Sequence, residues 1–434
     1  MEFINIDFSA LENDLIAFRR ERHSKPENAW NEYLTTCAII RELERLGIPY
    51  LMGKEIHTTG DRYGLPTEEE AKSAVERALR EGADPALVER MAGGYTGVVG
   101  VIDTGRPGPV TAIRFDIDCN DVAESTDPEH RPVREGFASQ HPNLMHACGH
   151  DAHTSIGIGV ARILMACKDQ LCGKIKLIFQ PGEEGGRGGS SIADSKVLDD
   201  VNYIFGGHVW GNYGTIAAGI TDWSSSYKVD FIFDGKPAHA GAFPQEGKNA
   251  LAAAATATLN LLGIARHSGG FTRVNVGVCQ AGSGRNVIPG HAVLKAEVRG
   301  ASNEINDYMF QRALTVAKAA ADMHECGFSY KIMGRAADAP NDPELMEVAM
   351  EAMKEVPEVE TASSTLSANG AGEDVTFLMQ KVQAHGGKGT YLALGASQTA
   401  PNHNGSFDID ERVILTSAKV FSKMVGKLNG MSKS

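Results

Sequence analysis

The feature that most constrains the fold of this sequence is a series of short apolar runs that alternate with helical patterns along the chain. Strand patterns occur at residues 97–103, 110–115, 174–180, 203–208 and 390–394. Helical apolar spacing occurs around them, at residues 11–22, 34–46, 151–167, 343–353, 374–382 and 411–428. This alternation of strands and helices predicts an α/β fold built on a mixed, mostly parallel sheet.

A different order of elements interrupts this pattern between residues 223 and 334. There, strand patterns at 227–233, 274–280, 292–298 and 328–333 enclose helical patterns at 249–265 and 306–323. This β-α-β-β-α-β order is typical of a small ferredoxin-like α+β domain. The length of 434 residues also favours two domains. We therefore expect a mixed-sheet domain formed by residues 1–222 and 335–434, with the ferredoxin-like domain inserted at 223–334.

An additional charged segment, residues 55–94, lies inside the larger predicted domain. Thr67 and Glu70 form a capping pattern that predicts a helix over residues 67–79. The segment contains too few apolar residues to be expected in the core. We interpret it as an extra helical segment that covers the mouth of an active site, makes a subunit contact or decorates the periphery.

Composition excludes several classes of partner. The sequence has no apolar stretch of about 18 residues or more, which argues against a membrane, and its net charge of −13 argues against nucleic acid. Residues 1–22 lack the pattern of a secretory signal. The seven cysteines are odd in number and have no framework spacing, which predicts reduced thiols and a cytoplasmic location.

Polar clusters follow the predicted strands, where α/β proteins place their sites. They lie at residues 116–118, 146–153, 181–185, 206–210 and 402–404. Taken singly, a histidine is usually a satisfied polar residue, a Glu-Glu pair is usually a solvated face, and a cysteine is usually a buried apolar residue. Together they supply cysteine, histidine and carboxylate ligands, which suit zinc or manganese. A glutamate that precedes a ligand glutamate is a typical general base.

The motifs HACGHDAH at 146–153, QPGEEG at 180–185, GHVW at 207–210 and AHAG at 238–241 resemble those of the M20 metallopeptidase family. Their form is that of its amidohydrolase branch, which includes aminoacylases and auxin-conjugate hydrolases. The resemblance implies a zinc-peptidase type of catalytic domain. Many members of the family carry a His-x-Asp motif where this sequence has Asp116-Ile117-Asp118, as in the amidohydrolase branch, so Cys148 is expected to take the bridging role.

Carried to this sequence, the resemblance implies a metal-dependent amidohydrolase with two divalent ions, manganese or zinc. It implies five metal ligands: Cys148, His150, Glu184, His208 and His403. Glu183 would be the general base, which takes a proton from the attacking water and passes it to the leaving nitrogen. Asp118 would orient a ligand histidine, whereas Asp116 has no assigned role. His239 would donate to the oxyanion in the active site of a partner subunit, which implies a homodimer formed through the inserted dimerisation (lid) domain.

A closer resemblance, to members of this branch that cleave p-aminobenzoyl-glutamate, is carried by residues 103–110, 131–132, 136–139, 280–287 and the 55–94 segment. It implies cleavage of that amide to p-aminobenzoate and glutamate. Arg285 and Asn286 are candidate substrate-binding residues, because a guanidinium can clamp a carboxylate with two hydrogen bonds. A solvated Arg285 is the plain alternative, and Arg299 is a further candidate.

Other functions stay open from the sequence. Within the family, an N-acetyl-amino-acid deacetylase or a dipeptidase is the alternative. From another class, a catalytically inactive binding or regulatory protein could use the same fold, although every expected ligand and Glu183 are present. A heteromer with a related polypeptide is the alternative to a homodimer.

Overall fold

The computed structural model describes residues 1–431, whose strands form two main sheets with separate hydrophobic cores. The α-helices of these residues are α1 Phe8–Ser24, α2 Tyr33–Arg45, α3 Glu68–Arg80, α4 Pro85–Arg90, α5 Arg131–Arg134, α6 His150–Ala166, α7 Gly189–Ala193, α8 Ala250–Leu262, α9 Asn303–Met323, α10 Pro343–Met353, α11 Val375–Ala384 and α12 Arg412–Leu428. The strands are β1 Tyr50–Met52, β2 Val98–Asp103, β3 Val110–Asp116, β4 Lys174–Gln180, β5 Tyr203–Val209, β6 Thr215–Ala217, β7 Ile220–Thr221, β8 Ser225–Asp234, β9 Ala238–His239, β10 Thr272–Ala281, β11 Val287–Ile288, β12 His291–Gly300, β13 Gly327–Ala336, β14 Thr361–Ser363, β15 Leu366–Ser367 and β16 Lys388–Leu394. Among residues 1–431, no helix combines the length and the apolar character that a membrane span requires.

The larger sheet has eight strands in the order β1-β2-β4-β3-β5-β16-β6-β14. Its centre is parallel, since β3 pairs with β4 and β5, and β5 pairs with β16, in parallel register. Along β4, Leu177 and Phe179 belong to the core beneath α1, α6 and α12, whereas Ile178 belongs to the core beneath α7 and α11. Burial on both faces explains why the central strands are continuous apolar runs rather than alternating ones.

The parallel arrangement brings several loops to one edge of this sheet. Strands β3, β4, β5 and β16 all end at that edge, and the predicted polar clusters follow them. This mixed α/β architecture is the predicted fold class.

The second sheet has four antiparallel strands in the order β10-β12-β8-β13. Along the chain, the elements run β8-α8-β10-β12-α9-β13, which is the β-α-β-β-α-β order seen in the sequence. On β8, Tyr227, Val229 and Phe231 pack against α8 and α9, while the intervening side chains lie on the opposite, open face. This sheet therefore has one face covered by helices and one face free to meet other groups.

The 55–94 segment packs more closely than its composition predicts. Helix α3 begins with the predicted capping box, in which Thr67 N–H donates to Glu70 Oε2 at 2.8 Å and Glu70 N–H donates to Thr67 Oγ1 at 3.3 Å. Ala74 and Ala78 are buried in the larger core, although few core contacts were expected from this segment. Small alanine side chains let the helix approach α2 closely, which a count of large apolar residues does not reveal.

Candidate metal centre

The candidate site lies at the edge where the central strands end. The turn that leads into α6 carries Cys148 and His150, and the residue between them, Gly149, has φ 86°. A Cβ at that position would collide with Cγ2 of Val209. Glycine is therefore required there, both for the left-handed backbone and for the close approach of the β5 strand end.

The structure brings all five predicted ligands together. Candidate ligand atoms lie within 4.8 Å of one another in three overlapping groups: Cys148-His150-His208, Cys148-Glu184-His403 and His150-Glu183-Glu184. Cys148 Sγ lies 3.3 Å from His208 Nε2, and His403 Nε2 lies 3.5 Å from Glu184 Oε1. Cys148 belongs to two of the groups, so its sulfur lies close to both sets of candidate ligand atoms.

Two of these side chains have buried atoms that no protein group satisfies. Among residues 1–431, His150 Nε2 and Glu184 Oε1 are both buried without a hydrogen-bond partner. Unpaired polar atoms are costly in a protein interior. A divalent cation coordinated by these atoms would remove that cost, so the donor set fits a metal centre.

The buried imidazoles of His150 and His208 are each oriented by a hydrogen bond at Nδ1. His150 Nδ1 lies 3.0 Å from the carbonyl oxygen of Asp118, and His208 Nδ1 lies 2.9 Å from that of Val209. A carbonyl only accepts, so each Nδ1 carries the proton and each Nε2 is left free as a ligand. The backbone at His403 is also constrained, with φ 65°, and its N–H donates to the Ala147 carbonyl at 2.7 Å.

Asp118 lies behind the ligands and links two parts of the site. Its Oδ1 is 3.3 Å from His150 Nδ1 and accepts from Glu183 N–H at 3.1 Å, while its Oδ2 accepts from Glu184 N–H at 2.9 Å. One carboxylate therefore holds both a ligand histidine and the loop that carries the two glutamates.

Asp116 and His153 form a second support, to which the sequence assigned no role. Asp116 Oδ1 lies 2.5 Å from His153 Nδ1, and His153 Nε2 accepts from Val209 N–H at 3.0 Å. Both ring nitrogens of His153 are thus occupied. The ring stacks on His150, with centroids 5.4 Å apart. The sequence feature that could have revealed this role of His153 is its spacing from His150 on α6, because residues three apart share one face of a helix.

Glu373 and Asp374 are also neighbours of the site that the sequence did not identify. Their carboxylates lie within 4.8 Å of a Glu183 oxygen. Arg114, fully buried in β3, donates to Glu373 at 3.0 Å and to Asp374 at 3.0 Å. The sequence feature that could have indicated such acidic neighbours is Arg114 itself, an arginine inside an apolar strand, since a buried guanidinium needs carboxylate partners.

The electrostatics of the two glutamates differ. Burial, together with the neighbouring carboxylates of Glu373, Glu184 and Asp374, raises the pKa of Glu183 well above its ordinary value. For Glu184 burial acts in the same direction, but the nearby imidazoles of His403 and His150 outweigh it and lower the pKa to about 2. This difference suits Glu183 to exchange a proton and suits Glu184, in its ionised form, to bind a cation.

The ligands surround one end of a cavity of about 710 Å³ that has two walls. The larger sheet contributes Cys148, Glu183, Glu184, His208 and His403. The open face of the four-stranded sheet contributes Ser226, Lys228 and Arg299. Trp210 and Trp223 also line the cavity. No residue of the 55–94 segment lines it, so in this structure the segment does not cover the mouth.

The remaining predicted residues lie elsewhere. His239, Arg285 and Asn286 are exposed and are absent from the cavity wall of this chain. They are close to one another, because β9 pairs with β11 and Ala240 N–H donates to the Asn286 carbonyl at 2.9 Å. His239 Nδ1 accepts from Gly241 N–H and Ala242 N–H at 3.2 and 3.0 Å. Because Nδ1 accepts these two hydrogen bonds, the ring N–H is on Nε2, which can donate.

Comparison with known sequences identifies relatives along nearly the whole chain. Residues 112–427 match the sequence model described as peptidase family M20/M25/M40. The chain is 43% identical over 419 residues to a Haemophilus influenzae homolog of one subunit of p-aminobenzoyl-glutamate hydrolase, covering 96% of this chain and 98% of that protein. It is 42% identical to the corresponding subunit of the Escherichia coli p-aminobenzoyl-glutamate hydrolase, with 98% of both chains covered. It is equally 42% identical to an indole-3-acetyl-aspartic acid hydrolase of Enterobacter agglomerans, with 95% of both covered.

Solved structures show the same likeness. An aminobenzoyl-glutamate utilization protein from Klebsiella pneumoniae superposes with a TM-score of 0.83 at 36% identity, covering 96% of each chain. A Bacillus subtilis protein described as a dinuclear metal-binding peptidase of the M20 family superposes with a TM-score of 0.67 at 26% identity, covering 98% of this chain and 100% of that one.

Proposed function

This chain belongs to peptidase family M20/M25/M40, a family of metal-dependent hydrolases, and we propose that it cleaves p-aminobenzoyl-glutamate to p-aminobenzoate and glutamate. The observation that carries the proposal is the clustering of five candidate ligand side chains with Glu183, all of which except His150 line a single cavity. The choice of substrate is supported by the names of two relatives, whose substrates both join an aromatic acyl group to an acidic amino acid.

Each residue of the centre has a distinct task in this proposal. Cys148, His150, Glu184, His208 and His403 would hold two divalent ions, zinc or manganese. When bound, such ions lower the pKa of water and polarise a carbonyl oxygen. Soft thiolate and imidazole ligands suit zinc, and manganese is the alternative implied by the resemblance to the amidohydrolase branch.

Glu183 performs the proton transfers. Its carboxylate takes a proton from water as the oxygen attacks the amide carbon, and it then delivers that proton to the leaving nitrogen. Asp118 fixes the position of Glu183 through the backbone N–H at 3.1 Å. Partial burial, with 12% of the side chain exposed, keeps bulk water from competing for the proton.

The residues that lie outside the cavity act, in this proposal, on a second copy of the chain. We assign residues 1–222 and 335–434 to the catalytic domain and residues 223–334 to an inserted dimerisation domain. His239 would donate from Nε2 to the oxyanion in the partner's cavity, with Asn286 and Arg285 beside it to bind substrate. This assignment is supported by the exposure of all three residues and by the free Nε2–H of His239.

Assembly and location complete the proposal. A homodimer through the inserted domain is the arrangement we favour. A heteromer is the alternative, because two relatives are named as one of the subunits of a hydrolase. We place the protein in the cytoplasm, since all seven cysteines are free thiols.

The experiment that tests the function is release of glutamate from p-aminobenzoyl-glutamate by the protein loaded with zinc or manganese. Glu183→Gln should lower kcat about a hundred- to ten-thousand-fold while two metal equivalents remain bound. Glu184→Gln is the matched variant on the adjacent residue, and it should lose bound metal as well as activity. Full activity in Glu183→Gln would contradict its role as the base. Absence of release by the metal-loaded wild type would contradict the substrate.

A further inference from the structure

The second wall of the cavity belongs to the open face of the four-stranded sheet. Strand β8 presents Ser226, Lys228 and Asp230 on this face, because they alternate with side chains that pack against α8 and α9. Ser226 and Lys228 lie at the end nearest the metal centre and line the cavity, as does Arg299 from β12. Two cationic side chains therefore lie across the cavity from the catalytic glutamates.

The charge of Arg299 is already compensated. Its guanidinium donates to Glu297 Oε1 at 2.9 Å, to the Gly370 carbonyl at 2.8 Å and to Ser224 Oγ at 3.3 Å. Protein groups thus hold Arg299 in place and neutralise it before any substrate binds.

Lys228 differs from Arg299 in this respect. Within residues 1–431, no carboxylate forms an ion pair with its ammonium, although the side chain is partly buried. Glu297 is its cross-strand partner in register, but that carboxylate pairs with Arg299. Asp230, two residues along β8, lies near Lys295 and Lys331 instead.

The acids on the catalytic wall are also engaged with other groups. Glu373 and Asp374 pair with Arg114, and Glu184 pairs with His403. A partly buried ammonium without an anion is unfavourable, and a carboxylate brought by a ligand would compensate it. Lys228 is thus the uncompensated cation of the wall that faces the metal centre.

An acidic leaving amino acid carries two carboxylates at different distances from the scissile bond. The α-carboxylate is attached to the carbon that bears the scissile nitrogen, so it stays close to the ligands. The side-chain carboxylate ends a flexible chain and can reach the opposite wall. A lysine has a flexible aliphatic side chain and a compact charge, so it can pair with this carboxylate whether the side chain is that of glutamate or the shorter one of aspartate.

Building on the proposed function, we propose that Lys228 is a specificity-determining residue that binds the side-chain carboxylate of the leaving glutamate or aspartate. It makes the enzyme selective for N-acylated dicarboxylic amino acids over those with neutral side chains. The names of relatives acting on a glutamate and an aspartate conjugate agree with this tolerance of chain length.

The test compares two substrates that differ mainly in side-chain charge, p-aminobenzoyl-glutamate and p-aminobenzoyl-glutamine, on the metal-loaded enzyme. Lys228→Gln should lower kcat/KM for the glutamate substrate about 10- to 100-fold, chiefly through KM. It should change the glutamine substrate by less than about threefold, and Lys228→Arg should retain part of the preference. Lys295→Gln is the matched control, because Lys295 lies on the same sheet face outside the cavity wall. Equal loss for both substrates, or no loss for either, would overturn the role of Lys228.

A binding measurement separates this inference from the proposed function. Calorimetric titration of the metal-loaded protein with free glutamate needs no turnover. We expect weaker binding in Lys228→Gln and unchanged binding in Lys295→Gln. Unaltered glutamate affinity in Lys228→Gln overturns the inference, whereas failure of the wild type to cleave either amide counts against the proposed function alone.

Discussion

At the scale of single residues, buried charges next to the metal centre occur in compensated groups. Arg19, which is fully buried in α1, donates to Asp151, Asp408 and Glu411 at 2.8, 2.8 and 3.1 Å. Asp151 directly follows the ligand His150, so this network ties the ligand-bearing helix α6 to α1 and to the start of α12. Removing one member would leave the others buried and unpaired, which is strongly destabilising.

His23 belongs to the same network and makes stability depend on pH. Its Nδ1 lies 2.8 Å from Asp151 and its Nε2 lies 3.0 Å from Glu124. Burial opposes the charged ring, but these two carboxylates raise the pKa of His23 from 6.5 to about 9. A raised pKa stabilises the folded state below pH 6.5, and this contribution disappears as the pH rises through 9.

The expected outcome is a pH-dependent difference between the wild type and His23→Gln in urea unfolding. From pH 6.5 to 9, that difference in unfolding free energy should shrink by about 3 kcal/mol. Using the difference between two proteins removes titrations that both share. A difference that stays constant across this range would show that His23 is neutral in the folded protein.

At the scale of elements, the end of β13 is coupled to the loop that carries the two glutamates. Arg335 N–H donates to the Gly186 carbonyl at 2.7 Å. At the adjacent Gly334, a Cβ would collide with the Gly185 carbonyl oxygen. The four-stranded sheet therefore positions the Glu183-Glu184 loop by direct backbone contact.

Gly334→Ala tests this coupling. The added methyl group should push the loop away from the ligands, lowering kcat/KM at least about tenfold and stability by about 1–3 kcal/mol. Gly327→Ala is the control in the same strand, since a Cβ there has its nearest atom at an ordinary 3.5 Å. Kinetics and thermal unfolding of both variants provide the measurement. Similar activity in the two would show that the contact does not govern the site.

At the scale of the whole molecule, the cavity lies between the two sheets, but its wall does not include every predicted site residue of the chain. His239, Arg285 and Asn286 form an exposed group on the β9–β11 pair, away from the cavity wall. The proposed intersubunit site would explain how such exposed polar residues could serve a buried reaction.

Mixing of two inactive variants tests the intersubunit site. Glu183→Gln and His239→Ala should each be inactive alone, but a mixed dimer would contain one complete site. After random exchange of protomers, activity should recover to about a quarter of the wild-type value, because half of the dimers are mixed and each has one working site. No recovery in a sample shown to contain mixed dimers would place His239 in the cavity of its own chain or outside catalysis.

The sequence by itself determined the fold class, and it predicted the residues of the candidate metal centre. Apolar periodicity is a local property of the sequence, so it predicted most strands and helices. The loops that follow neighbouring parallel strands lie at the same edge of the sheet, so the position of the candidate site followed from those strands. The candidate ligands Cys148, His150, Glu184, His208 and His403 were named from the family resemblance, because the motifs that carry it are short and local in the chain. The capping box at Thr67 was predicted for the same reason, because its partners are neighbours in the chain.

Only the tertiary structure decided what surrounds that centre. Glu373 and Asp374 lie beside Glu183 and pair with Arg114, and because all these residues except that adjacent pair are distant in sequence, no local pattern encodes their meeting. The structure likewise placed Lys228 and Arg299 on the cavity wall and left Arg285 outside it. These outcomes depend on how two sheets with separate hydrophobic cores pack together, and that packing arises from contacts between residues far apart in the chain.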